Sequence, residues 1–288
     1  MTGLVPWEVM LATLALLFQT VATPVVNHNH FYVTLDPPTF NAIARNRWLK
    51  TQFANVNVST HSSGTDTWTG CYVSGFGSYV ELFASGKRDK EGDSGIGFAT
   101  PMPGGADNLY SIFLQSAFGK RAQRDEMNLG SDKEQHPFAH IVSYDGQDAT
   151  KLNVWIMEFH HDYYAKYGLP DGSAYWKIQA AYDKNHKTAY NRMMGDVTSI
   201  TTQPVGGGKD FRLALGLSGF KQVGKSNAFR QGDNEVVVLP AQSSSPQYGI
   251  TSVKFSLRKS PERIHVERFS KHSALTVYPA GYAVWEFN

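Results

Sequence analysis

An α+β fold built from a repeated strand–helix–three-strand unit is what this sequence predicts, and three observations predict it. The first is alternation: in Asn27–Asp36, Phe31, Val33 and Leu35 fall on one face and His28, His30, Tyr32 and Thr34 on the other. The second is order, since a strand, a helix and three strands are followed by the same series again. The third is an internal echo. Tyr79-Val80-Glu81-Leu82-Phe83 and Ile156-Met157-Glu158-Phe159-His160 occupy the same fourth-strand place, each with a glutamate between apolar residues that face the other way.

After the first strand, Pro37-Pro38 opens a helix, because proline is tolerated in a first turn. Phe40, Ile43, Ala44, Trp48 and Leu49 give it an apolar stripe to about Phe53. Strands follow at Val56–His61, Trp68–Ser74 and Ser78–Ser85, divided by Ser, Gly and Asp turns. The second series has a strand at Ser94–Thr100 and a helix at Asn108–Phe118. Its remaining strands are Arg121–Leu129, Phe138–Tyr144 and Leu152–His160. Residues 166–195 read as a connection. A degenerate pair of similar units then fills 196–288. Its strand at Asp196–Gln203 is followed by a helix at Asp210–Leu217 and strands near Ser226–Arg230 and Glu235–Leu239. Gly249–Leu257, Ala274–Val277 and Ala283–Phe287 close the chain. Gly206-Gly207-Gly208 is not a phosphate loop, because no Gly-Lys-Ser/Thr follows it at the required spacing. His265 and His272 read as surface residues of a basic loop.

Composition narrows the function classes. With 288 residues, 18% charged and 13% aromatic, the chain has ample core material. Its formal net charge is +2 and its basic residues are scattered, which argues against nucleic acid or an anionic membrane as partner. One cysteine, Cys71, excludes an internal disulfide and a cysteine-built zinc site, and its strand setting predicts a buried structural thiol. The apolar run Val9–Phe18, followed by Ala22, is too short to span a bilayer and suits a signal peptide over residues 1–22. A secreted or periplasmic protein is therefore expected, although no Lys or Arg precedes the run and Glu8 stands where positive charge is usual.

The chemistry is concentrated in Asn153–Tyr164. On a strand, Glu158 and His160 share one face, and Met157, Phe159 and His161 share the other. A carboxylate and an imidazole two residues apart form a metal platform of mixed N/O character. The plainer reading is a solvated strand end. Gly95, Gly97 and Ala99 are small where the first strand carries His30, Tyr32 and Thr34, which predicts room for a substrate. The plainer reading there is close packing between strands.

These residues resemble the vicinal oxygen chelate superfamily, the fold of glyoxalase I, extradiol dioxygenases and fosfomycin-resistance proteins. The likeness rests on His30-Phe-Tyr-Val-Thr-Leu-Asp36, on Tyr79-Val-Glu81-Leu-Phe and on the repeated βαβββ order over residues 27–165. More narrowly, the chain looks like a secreted branch of that superfamily. The resemblance implies paired modules closing into a cup-shaped mixed sheet around one divalent metal ion, Zn, Fe, Mn or Ni. Carried over, the ligands are His30 and Glu81 from the first module and Glu158 from the second. Gly95 stands where the fourth should be, and His160, on the face of Glu158, is expected to take its place.

Two functions follow as expectations. One is a metal-dependent enzyme acting on a small oxygenated substrate, of isomerase, lyase or dioxygenase type. The metal would serve as Lewis acid and Glu158 or Glu81 as general base. The other is a non-catalytic protein that sequesters a small molecule, with Tyr32, Tyr72, Tyr79 and Trp155 as stacking surfaces. No stable membrane insertion is expected, and a homodimer is one reading of the oligomeric state.

Overall fold

The computed structural model describes residues 25–288 apart from 64–65, 87–89, 132–133, 146–151, 174–176, 178–191 and 241–247. The leader-like run and its cleavage point lie outside the described residues, as does much of the expected connection at 166–195. The protein is a mixed α+β fold made mostly of strands. β1 (Asn27–Leu35), α1 (Pro37–Arg45), β2 (Asn55–Ser63), β3 (Asp66–Ser74) and β4 (Tyr79–Ala84) come first. They are followed by β5 (Ser94–Ala99), α2 (Gly105–Gln115), β6 (Ala122–Ser131), β7 (Glu134–Tyr144) and β8 (Leu152–Phe159). These eight strands close into a barrel in the order β1-β4-β3-β2-β6-β7-β8-β5. First and fourth strands pair in parallel in each half, β1 with β4 and β5 with β8, and β1 and β5 run antiparallel across the seam. On the opposite side closure rests on Ser63 beside Gly130.

The helix expected to reach Phe53 is two pieces. Asp36 caps α1 by accepting from the Thr39 N–H at 3.0 Å, with proline in the first turn. At Asn46 the backbone turns extended (ψ 117°), and the Asn46 side chain accepts from the Leu49 N–H at 2.7 Å, starting a π-helical turn over Leu49–Phe53. A side chain that competes with the backbone for a hydrogen bond thus breaks a continuous apolar stripe.

The remaining described residues include α3 (His161–Lys166) and an open eight-stranded sheet beside the barrel. That sheet comprises β9 (Met194–Thr202), β10 (Lys221–Gln222), β11 (Ala228–Gln231), β12 (Asn234–Val238), β13 (Ile250–Leu257), β14 (His265–Arg268), β15 (Ser273–Tyr278) and β16 (Tyr282–Phe287). Between β9 and β10 runs α4 (Lys209–Leu217). The outward residues of the barrel and the inner face of this sheet make one apolar core. Phe31 of β1 and Phe53 both meet the Phe255 ring of β13, with centroids 6.4 and 6.0 Å apart. The barrel also docks through its turn at Gly75–Ser78. The Phe76 N–H donates to the Gly195 carbonyl at 2.8 Å, and the Ser78 hydroxyl accepts from the Val197 N–H at 2.7 Å. A Cβ on Gly75 would fall 2.1 Å from the Gly195 oxygen, so only glycine permits this approach.

Two expectations are corrected. His265 lies on strand β14, stacked on Trp48 at 3.9 Å, rather than in a loop. The alternation of β1 breaks at a bulge between His28 and His30, so the two histidines do not share a face. Cys71 is buried in β3, and burial pushes its thiol up to about 11, as suits an inert structural cysteine. Among the described residues, no helix is long and apolar enough to cross a membrane.

Candidate functional site: an aromatic barrel lumen

Strand alternation decides which side chains enter the barrel. On β4, Val80 and Leu82 turn outward into the core, leaving Tyr79, Glu81 and Phe83 inside. On β1, Phe31 and Val33 turn outward and His30 and Tyr32 inward. Register then brings the inward residues together. His30 pairs with Tyr79 and Tyr32 with Glu81 across β1/β4, and Tyr72 of β3 pairs with Glu81 from the other side.

His30 stacks on Tyr79 with centroids 4.7 Å apart and meets Trp155 of β8 at 5.2 Å. Tyr32 lies against Trp155 at 6.0 Å and accepts a hydrogen bond on its hydroxyl from Asn153 Nδ2 at 2.7 Å. Tyr72 lies 6.4 Å from Tyr79 and accepts from the Trp68 indole N–H at 3.1 Å. All four aromatic residues expected to bind ligand therefore converge, together with His30 and Glu81. Trp68 and Asn153 join them, legible only as residues two or four positions from Tyr72 and Trp155 on the same strand faces.

This lumen suppresses charge. His30 is 6% exposed, and burial pulls its imidazole down to about 3. Its Nδ1 lies 2.7 Å from Asn29 Oδ1, an acceptor, which leaves the lone pair on Nε2. Glu81 is partly accessible, yet protein atoms surround it, and desolvation raises its carboxyl to about 8 against a smaller opposing hydrogen bond from Tyr79. Both shifts run toward the neutral forms, an uncharged imidazole and a carboxylic acid. Tyr72 is also raised, first by desolvation and then by the nearby Glu81.

The small residues of β5 do not leave empty room. A Cβ on Gly95 would sit 2.4 Å from the Tyr32 ring and 2.6 Å from the Trp155 ring, and one on Gly97 would sit 2.6 Å from the His30 ring. These glycines make space for the rings that line the lumen, so the close-packing reading holds. The open volume lies further along. A cleft of about 440 Å³ is bounded by Gln123, Ile141, Ser143, Asn153, Trp155 and Asp210, among others. Asn153 and Trp155 thus belong to the cleft and to the ring cluster at once.

Glu158 does not enter the lumen. It lies three residues from Trp155 on a strand of unbroken register, and so faces the other way. Its Oε1 accepts from the Gly104 N–H at 2.8 Å and its Oε2 from the Ala106 N–H at 2.9 Å, at the N-terminus of α2. Gly104 has no side chain to cap that helix, and a neighbouring strand supplies the acceptor instead. His160 follows the strand and caps α3, accepting from the Asp162 N–H at 3.3 Å. With Glu158, His140, His161 and Asp171 it lines a separate outer pocket of about 200 Å³. The expected set of His30, Glu81, Glu158 and His160 is therefore divided by the barrel wall, two inside and two outside. Beside Tyr32–Glu81, the corresponding β5/β8 pair is Gly97–Trp155, an indole where the echo placed a carboxylate. A four-ligand ion does not fit this arrangement, since His30 and Glu81 offer fewer protein ligands than the three of a catalytic zinc site.

Comparison with known proteins gives a family and a distant structural likeness. A family model described as "Family of unknown function (DUF5829)" matches residues 28–287. No curated protein matches. The crystal structure of a hypothetical protein from Staphylococcus aureus is similar with a TM-score of 0.49 and 8% identity, over 85% of this chain and 95% of that one.

Proposed function

The chain belongs to DUF5829, a family of unknown function, and from its geometry we propose that it binds a small, planar, uncharged molecule in the barrel. The observation that carries this reading is Trp155, which lines the 440 Å³ cleft and touches the His30 and Tyr32 rings of the lumen. A ligand entering the cleft would stack on Trp155 and Tyr32. Its polar atoms would meet the Gln123, Ser143 and Asn153 side chains that line the cleft. The cleft falls within the roughly 300–1,000 Å³ usual for small-molecule sites, and Tyr144, Trp155 and Phe211 give it aromatic surface beside the polar Gln123, Ser143 and Asn153. The cleft carries the carboxylates of Asp145 and Asp210, the latter held by Arg121, so an anionic ligand would be repelled there.

The two barrel halves, residues 27–84 and 94–159, are in this proposal paired βαβββ modules of the vicinal oxygen chelate kind. Element order and the parallel first-to-fourth strand pairing in each half support it. Export through the leader-like run belongs to the same proposal, and N-terminal sequencing of secreted protein tests it. The test of binding uses N-phenyl-1-naphthylamine, a neutral aromatic fluorophore. Saturable one-to-one binding is expected, weakened at least tenfold by Trp155→Ala and measurably by Asn153→Ala. Absence of binding, or binding indifferent to both substitutions, refutes the reading.

A second reading, a divalent-metal enzyme for a small oxygenated substrate, has one observation in its favour. Asn29 holds the His30 ring from behind, as partners of metal-binding histidines do. It requires metal in the purified protein that Glu81→Gln removes.

A further inference from the structure

Outside the barrel, where β8 passes into α3, three potential ligands stand together. His160, His161 and Asp162 present ligand atoms that all lie within 4.8 Å of one another. His161 Nε2 is 2.9 Å from Asp162 Oδ1, and His160 Nδ1 is 3.4 Å from Asp162 Oδ2. The two imidazole rings are 4.2 Å apart, and the His140 ring of β7 stands 5.6 Å from that of His160. His140, His160, His161 and Asp171 also line the 200 Å³ outer pocket, so the cluster borders a concavity.

We propose that this cluster is a binding site for a divalent transition-metal cation, Zn(II) or Ni(II), separate from the barrel lumen. Ligands about 2.0–2.2 Å from an ion lie roughly 3–4.4 Å from one another, so the cluster needs only small side-chain rotations to close. Such rotations are available, because the His161 and Asp162 side chains are 62% and 55% exposed. Two imidazoles and one carboxylate select a borderline transition metal, whereas Ca(II) and Mg(II) prefer all-oxygen shells. Glu158, though in the pocket, lies outside this cluster, its two oxygens turned to the backbone N–H groups at the start of α2. Three protein ligands leave a position open toward the pocket for water, for His140 or for a small anion. The wall of the barrel therefore carries a metal site at the place where sequence spacing had pointed into its interior.

The experiment uses the full chain, purified without a histidine tag, stripped with chelator and titrated with Zn(II) calorimetrically. One equivalent is expected, unaffected by millimolar Mg(II). The double variant His160→Asn/His161→Asn keeps an acceptor at the start of α3 and should bind at least tenfold more weakly. Glu81→Gln should bind as the parent does. Co(II) substitution should give a visible spectrum that the double variant loses. His161→Ala alone, at an exposed position, guards against misfolding of the double variant and should also weaken binding. No Zn(II) uptake overturns the proposal. So does uptake that survives the double variant and His161→Ala but is lost with Glu81→Gln, which would place the ion in the lumen.

Discussion

Glu158→Ala should destabilise the fold through a helix end. The Glu158 carboxylate spans two backbone donors of α2, Gly104 N–H at 2.8 Å and Ala106 N–H at 2.9 Å. These two losses differ. Gly104 is exposed, so water replaces the carboxylate there at a cost of about 0.5 kcal/mol. Ala106 is 0% exposed, and a buried N–H left without a partner costs about 1–3 kcal/mol. Removing the negative charge from the positive end of the helix dipole adds about 0.3–1 kcal/mol. The total is about 2–4.5 kcal/mol, or roughly 3–8 °C in Tm at an unfolding entropy of about 2.1 cal/mol/K per residue. Glu158→Gln keeps one carbonyl oxygen, which can serve Ala106, and should cost about 1 kcal/mol. Urea unfolding followed by circular dichroism measures all three proteins on one scale. An Ala variant with parental stability would refute the capping account. So would metal bound by the parent and lost equally with Ala and Gln, because the carboxylate would then be a ligand rather than a cap.

Other outcomes follow from the lumen and the core. Gly97→Ala places a Cβ 2.6 Å from the His30 ring and should cost about 1–3 kcal/mol by overpacking, read by thermal unfolding; a neutral effect would show that the ring has room to move. His28 is buried between Phe98 and Phe220, its ring nitrogens make no well-formed hydrogen bond, and burial draws its pKa from 6.5 to about 4 against a weaker opposing pull from a loosely placed Val197 backbone group. The unfolded chain therefore binds a proton that the folded one refuses, so stability falls as pH drops from 6.5 toward 4, by up to about 3 kcal/mol. His28→Leu should flatten that acid limb in denaturation measured across pH, and an unchanged limb would place its origin elsewhere. Glu81 carries the opposite sign. Its pKa is raised from 4.5 to about 8, so the folded state keeps a proton that the unfolded state releases, and stability falls as pH rises through that window. The ceiling is about 5 kcal/mol, lowered by any water in the lumen, and Glu81→Gln should remove the slope between pH 5 and 8. A parental slope in the Gln variant would contradict the buried-acid reading.

Much of the framework is local and therefore legible in the chain. Alternation in β1 and β4, proline in the first turn of α1 and the turn residues between strands are properties of short segments. They place most strands, helices α2 and α4 and the start of α1 near their observed bounds, and they put Tyr32, Tyr72, Tyr79 and Trp155 on strands, while the family resemblance singled out His30 and Glu81. Register is not local. The sequence pairs Glu81 with Glu158 by resemblance of their neighbours, whereas hydrogen bonding pairs Tyr32 with Glu81 and Gly97 with Trp155. Glu158 is three positions from Trp155, and an odd offset on a strand exchanges inside for outside. The bulge at Asn29 acts in the same way on His28, which moves to the core while His30 stays in the lumen. The role of Gly95 and Gly97 also needed the tertiary structure, because a glycine marks a place where something approaches closely without stating what. Composition and periodicity determined an α+β chain of alternating strands in a repeated order, and closure into a barrel beside a second, open sheet came only with the tertiary structure. Which face each ligand candidate occupies was decided only by strand pairing, since a one-residue difference that barely alters the local pattern reverses every side chain beyond it.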